Sequence, residues 1–178
     1  LRMRSLDELL KIESMIYAIG GLAVGEPKEK MLNIVEFMDS QLPKDKLRYL
    51  MGVGTPVDLI NNVLRGIDMF DCVIPTRNAR NGQLFFDDGP INIKNSKFKN
   101  DHSIINEKSK LYMSNSFSKA YLHHLFKTNE ILGIRIATEH NLCYFFTLME
   151  RIRQKIIENT LVEWSDNFIN KYKGGQSE

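Results

Sequence analysis

Apolar and polar positions along this chain switch between helical and strand periods. Leu6, Leu9 and Leu10 recur at helical spacing beside Ser5 and Glu8, a capping-box pair that predicts a helix over about Ser5 to Glu13. Met15 to Ile19 is a short apolar run closed by Gly20-Gly21 and reads as a buried strand. Pro27 suits the first turn of a second helix with Met31, Ile34, Val35 and Met38 on its inner face. Pro43 breaks the chain before a strand at about Arg48 to Met51. Thr55, Pro56 and Asp58 start a third helix, Gly66 stops it, and a strand from Met69 to Ile74 follows, ended by Pro75. Strand and helix alternating at this spacing imply βα units and a parallel sheet.

Past this region the pattern changes. Leu84 to Phe86, Asp87-Asp88-Gly89-Pro90 and Ile91 to Ile93 read as a β-hairpin. Asn95 to Asn115 is polar, has no sustained period, and is expected to be irregular and loosely ordered. Helical pattern returns over about Ser118 to Lys127, Glu139 to Glu158 and Leu161 to Tyr172, the last ended by Gly174-Gly175. Gln176 to Glu178 reads as a frayed tail. No repeat beyond the βα alternation and no low-complexity tract is present.

Composition narrows this picture without changing it. A chain of 178 residues, 43% apolar and 26% charged, can bury one real core. The net charge of +2 is too small to imply nucleic-acid binding, so any basic surface must be local. Two cysteines, Cys72 and Cys143, make no disulfide framework, and no signal segment or long apolar run appears, so the cytoplasm is the default location and no membrane contact is expected. The first residue is Leu1, which suggests that the sequence starts inside a longer reading frame.

Several residues could carry chemistry. In the strand from Met69, alternation places Met69, Asp71 and Val73 on one side and Phe70, Cys72 and Ile74 on the other. A carboxylate on an apolar run is costly unless it has a partner or a task; Asp71 could be a turn residue, a cap or half of an ion pair. Beyond it Arg77 and Arg80 fall on what reads as a loop, and an acid at the end of a buried strand with basic groups after it is where barrel enzymes keep their chemistry. Asp68 competes on the same strand but suits a structural hydrogen bond better. Gly20 and Gly21 either let a ligand approach the backbone or make a tight turn. Tyr49 could be core. His123 and His124 diverge on their helix and suit surface or interface packing.

These stretches also carry a likeness. Arg65-Gly-Ile-Asp-Met-Phe-Asp-Cys-Val-Ile-Pro-Thr-Arg-Asn-Ala-Arg-Asn-Gly82 resembles the active-site signature of bacterial tRNA-guanine transglycosylases. Tyr17-Ala-Ile-Gly-Gly-Leu-Ala-Val-Gly-Glu26, Tyr49-Leu-Met-Gly-Val-Gly-Thr-Pro56, Gly89-Pro-Ile-Asn-Ile-Lys-Asn95, Ser118-Lys-Ala-Tyr-Leu-His-His-Leu125 and Glu139-His-Asn141 match in order, covering nearly the whole chain. The resemblance implies the C-terminal portion of a TIM-type (β/α)8 barrel, since the whole barrel needs about 250 residues. It puts the last three βα units at 1–82, an inserted hairpin and degenerate zinc-type subdomain at 83–137, and closing helices at 138–178.

The same resemblance implies roles. The family exchanges guanine at the tRNA wobble position for a deazaguanine through a covalent ribosyl-enzyme intermediate, and Asp71 matches the nucleophile. Gly20, Gly21 and Leu22 match the loop that binds the base through main-chain groups, with Glu26 fixing the peptide orientation and Met51 and Gly52 against the base. Arg77 and Arg80 match residues that hold the anticodon stem-loop, a surface that Lys94, Lys97 and Lys99 would extend. Phe117 and Tyr121 match a homodimer interface. The family's structural zinc uses three cysteines and a histidine; here Ser109, Leu111 and Ser114 stand at the cysteine positions and only His140 is retained, so no zinc or other cofactor is expected. An isolated chain is expected to be inactive, lacking half the pocket. The other readings are a non-catalytic tRNA-binding remnant, one half of a split enzyme with a separately encoded N-terminal half, or an unrelated α/β binding domain.

Overall fold

The computed structural model describes residues 1–107, 109 and 111–175. The tail expected at Gln176 to Glu178 lies outside them. The chain divides into two compact units, Leu1–Cys72 and Val73–Glu178.

The first unit is α/β. Helix α1 (Arg2–Leu9) precedes strand β1 (Ile16–Ile19), helix α2 (Lys28–Gln41), strand β2 (Leu47–Leu50), helix α3 (Pro56–Val63) and strand β3 (Met69–Phe70). The strands form one parallel sheet in the order β1-β2-β3, with Ala18 opposite Tyr49 and Tyr49 opposite Met69. Helix α1 starts earlier than the Ser5–Glu8 box suggests, and Ser5 lies inside it, its amide bonded to the Leu1 carbonyl. For α3 the local signals hold: Thr55 accepts a hydrogen bond from the Asp58 amide and Pro56 occupies the first turn. Gly66, at φ +84°, turns the chain into β3.

Alternation decides what this sheet buries. Tyr17, Ile19 and Leu50 face a core with Met31, Val35 and Met38 of α2. Arg48 shares that side, pairing with Asp39 at 2.8 Å and donating to the Leu42 and Pro43 carbonyls, so its buried charge is compensated. The opposite face carries Ile16, Leu47 and Met69, which are 41%, 48% and 38% exposed.

The second unit comprises helix α4 (Ile74–Arg80), a hairpin of β4 (Gln83–Phe86) and β5 (Gly89–Asn92), a 3-10 turn at Ser96–Phe98, and helices α5 (Tyr112–Ser116), α6 (Lys119–Lys127), α7 (Ile131–Ile157) and α8 (Leu161–Gly174). One core of this unit includes Ala79, Leu84, Ile93, Leu122, Ile136 and Ala137, so α4, the hairpin region, α6 and the start of α7 pack together. The strand expected to reach Ile74 stops at Phe70, and Pro75 opens a helix instead of ending a strand. Proline's preset φ and missing N–H suit the first turn. The segment from Asn95 is better packed than its polarity suggests: Phe98 and Ile105 are buried, and the Ile105 amide bonds the Phe117 carbonyl.

Candidate functional site

Parallel strands deliver their following loops to one edge, and β1, β2 and β3 bring the predicted residues of the first unit there. After β1, Gly20 lies so close to Met51 that an added Cβ would meet its sulfur at 3.4 Å, and Gly21 adopts φ +65°. The Arg2 guanidinium donates to the carbonyls of both glycines, at 3.1 and 3.3 Å. The Leu22 side chain is buried in the core, so only its main chain can meet a ligand. Glu26 accepts from the amides of Ala23 and Val24 and so closes the loop. Those amide bonds, the Ala23 one first, hold its carboxyl below the usual range.

After β3, the Asp71 carboxylate is exposed. Tyr49 donates its phenol hydrogen to Asp71 Oδ1 at 2.6 Å, and the Gly52 amide donates to the same oxygen at 3.0 Å. The Tyr49 bond foremost, then that of Gly52, holds Asp71 below the ordinary carboxylate range, while the same contact with Asp71 pushes the Tyr49 phenol up. Gly52 reaches this position with φ +74°, and Met51 beside it is 45% exposed. Asp68 is used otherwise: its Oδ2 accepts from the Arg48 amide at 2.8 Å, locking β3 to β2. Here a preorganised, ionised, solvent-accessible carboxylate stands beside a glycine turn and an exposed thioether.

In the second unit, Arg77 and Arg80 are exposed on the last turn of α4, a helix where a loop was expected. Lys94, Lys97 and Lys99 are also exposed, with Lys94 over the Phe126 ring and Lys97 over Phe98. His140 is buried on α7, its Nε2 donating to the Phe85 carbonyl at 2.9 Å, and burial drives its pKa down to about 4. Ser109 lines a cavity of about 370 Å³ with His140 and Cys143, but its hydroxyl accepts from the Leu111 amide. Leu111 is half-buried, and the Ser114 hydroxyl is buried without a partner among the described residues. One imidazole committed to a carbonyl, two neutral hydroxyls and an aliphatic chain are a poor donor set for zinc. Among the described residues no group of three or more His, Cys, Asp or Glu could hold a metal.

Other polar residues escaped sequence reasoning. His123 is not at the surface: it is buried, with Nδ1 donating to the Ile93 carbonyl at 2.7 Å, while His124 is exposed. Asn141 donates to the Pro75 and Gln83 carbonyls and accepts from the Phe85 amide, so one side chain pins α4 and β4 to α7. Tyr49 was readable as core because an aromatic on a strand ordinarily is, and nothing local reveals that its hydroxyl meets Asp71. Arg2 gave no local signal at all.

A family model described as queuine tRNA-ribosyltransferase matches residues 1–174. A queuine tRNA-ribosyltransferase of Francisella tularensis subsp. mediasiatica (strain FSC147) is 51% identical over 173 residues, covering 97% of this chain and 47% of that protein. Proteins of the same name from Buchnera aphidicola are 55% identical over 171 residues in subsp. Acyrthosiphon pisum (strain 5A) and 53% over 173 in subsp. Schizaphis graminum. The chain spans about half the length of these curated relatives, 46% and 47% of the two Buchnera proteins.

Proposed function

This chain belongs to the queuine tRNA-ribosyltransferase family, and on that premise we propose that it carries the nucleophile-bearing part of a tRNA-guanine transglycosylase. The carrying observation is the exposed Asp71 carboxylate, fixed by Tyr49 and Gly52 at the carboxyl edge of a parallel sheet. Asp71 attacks the anomeric carbon of the wobble-position ribose. A carbon–oxygen bond forms as the glycosidic carbon–nitrogen bond breaks, and guanine leaves with the electron pair and gains a proton. A deazaguanine then attacks the same carbon, gives up its own proton and releases the carboxylate, so the exchange consumes no net proton.

Gly20, Gly21 and Leu22 offer main-chain groups to the base, Glu26 keeps their loop in shape, and Met51 and Gly52 lie against it. Arg77 and Arg80 hold the anticodon stem-loop, for which a planar guanidinium suits phosphates and base edges. The sheet is read as the last three strands of a (β/α)8 barrel. The exposed apolar face of Ile16, Leu47 and Met69 supports this, because a closed barrel turns such a face inward. No helix among the described residues is long and apolar enough to cross a membrane, and a tRNA substrate is consistent with the cytoplasm. The Ser109, Leu111, Ser114 and His140 set supports a chain that works without the family's zinc. Metal analysis of purified protein tests that directly, and stoichiometric zinc overturns it.

On this reading these 178 residues alone do not catalyse exchange, which needs the rest of the relatives' length, and second copies meet through the Phe117–Tyr121 region. The alternative is a tRNA-binding remnant, favoured by the same non-thiolate set. Incorporation of labelled guanine into tRNA decides between them, with the chain alone, with the missing portion added, and with Asp71→Asn. Exchange that needs both parts and vanishes in Asp71→Asn is expected. Exchange that survives the substitution removes Asp71 from the chemistry, and tRNA binding without exchange in any combination gives the remnant.

A further inference from the structure

The two oxygens of the Asp71 carboxylate are not equivalent. Tyr49, at 2.6 Å, and the Gly52 amide, at 3.0 Å, both donate to Oδ1. Apart from the residue's own amide, which adds a weaker pull, no other described group hydrogen-bonds this carboxylate. One donor is a side-chain phenol and the other a main-chain amide. Tyr49 is in the centre strand, in register with Met69 of β3, and the Gly52 amide is aimed by a left-handed backbone conformation that glycine adopts without strain.

We infer that Tyr49 is a positioning residue for Asp71: with the Gly52 amide it anchors Oδ1, fixes the plane of the carboxylate, and leaves Oδ2 as the oxygen that bonds to ribose. This rests on the transglycosylase reading and deepens it. Two donors on one oxygen resist rotation about the last side-chain bond, so the free oxygen is presented in one direction. In the covalent intermediate Oδ2 carries the sugar and Oδ1 becomes the ester carbonyl. When the incoming base attacks the anomeric carbon, the Oδ2–carbon bond breaks, its electron pair returns to the carboxylate, and the base loses its proton to water. Tyr49 and Gly52 then stabilise the departing carboxylate through Oδ1, where donors aimed at developing charge act most strongly. Donors to the charged form also keep Asp71 ionised.

The test uses the 178-residue chain. The Asp71 carboxyl is titrated by carbon NMR in the native protein and in Tyr49→Phe, which keeps the ring and removes only the hydroxyl. The Asp71 midpoint is expected to rise in Tyr49→Phe with an unchanged melting temperature; in the reciprocal measurement the Tyr49 phenol midpoint falls in Asp71→Asn. In the complete enzyme, the acid limb of kcat moves to higher pH in Tyr49→Phe while KM for tRNA stays constant. An Asp71 midpoint indifferent to the hydroxyl overturns the inference and leaves transglycosylation standing. Should Tyr49→Phe fail to fold, the reciprocal measurement decides, and an unmoved Tyr49 midpoint overturns the inference. A silent exchange assay with the expected titration shifts removes the functional reading and leaves the Tyr49–Asp71 link intact.

Discussion

The two units spend their polar side chains in opposite ways. In Leu1–Cys72 the polar groups at the strand edge stay exposed or half-buried: Tyr49 and the Gly52 amide hold the exposed Asp71 carboxylate, Glu26 holds its own loop, and Arg2 the glycine carbonyls. In Val73–Glu178 they are buried and hold backbone: His123 on Ile93, His140 on Phe85, Asn141 on Pro75, Gln83 and Phe85. Tyr144 adds a bond to the Phe86 carbonyl. Arg151 grips Asp87 with two bonds of 2.6 Å. A polar group that satisfies a buried backbone partner is committed to stability, because removing it strands that partner away from water. One that is exposed and held by only two donors keeps capacity for a ligand. The contrast separates chemistry from architecture better than residue type does, since both units contain the acids and arginines from which sites are made.

The largest expected effect breaks the contrast at its sharpest point. Asp71→Asn should lower base exchange by the complete enzyme by about a thousandfold or more, yet leave the urea midpoint of the chain unchanged, because the exposed carboxylate supports no buried group. Asn141→Ala should do the reverse in kind, costing about 3 kcal/mol in urea unfolding, since three buried backbone groups lose their partner together.

Next comes pH. His140 is held neutral, with its folded pKa at about 4 against an ordinary 6.5. The unfolded chain therefore binds a proton that the folded chain refuses between these values. Stability from this residue is fully present above about pH 6.5 and is lost as pH falls toward 4, to the extent of about 3 kcal/mol. His140→Gln should flatten that part of the stability profile; a profile unchanged by the substitution would show that the imidazole is not buried neutral. The smallest effect belongs to the exposed cations. Arg77→Ala or Arg80→Ala should weaken tRNA binding roughly tenfold and reduce the salt slope by about one, with no change in thermal unfolding. A loss of stability in either would move that arginine to the architectural side of the comparison.

Legibility followed the same division. The βα alternation, the Thr55–Pro56 helix start and the hairpin are visible because each rests on contacts among sequence neighbours. Asp71 stands out as an acid on an apolar run, and Asp68 could be set apart from it by position alone. The reach of Tyr49 from β2 to Asp71, the Arg2 bonds to Gly20 and Gly21, and the burial of His123 were invisible, because each joins groups that only the folded chain brings together. Pro75 misled: a proline can end a strand or begin a helix, and α4 packing against α7 and β4 selected the second.

The order of strands and helices, the glycine turns and the acid that follows β3 were determined by the sequence itself, since periodicity and backbone preference act over a few residues. Which oxygen of that acid is held, which histidines are buried against carbonyls, and where α4 begins were decided only by the tertiary structure. Those outcomes depend on hydrogen-bond partners distant along the chain, and no local pattern encodes a distance across space.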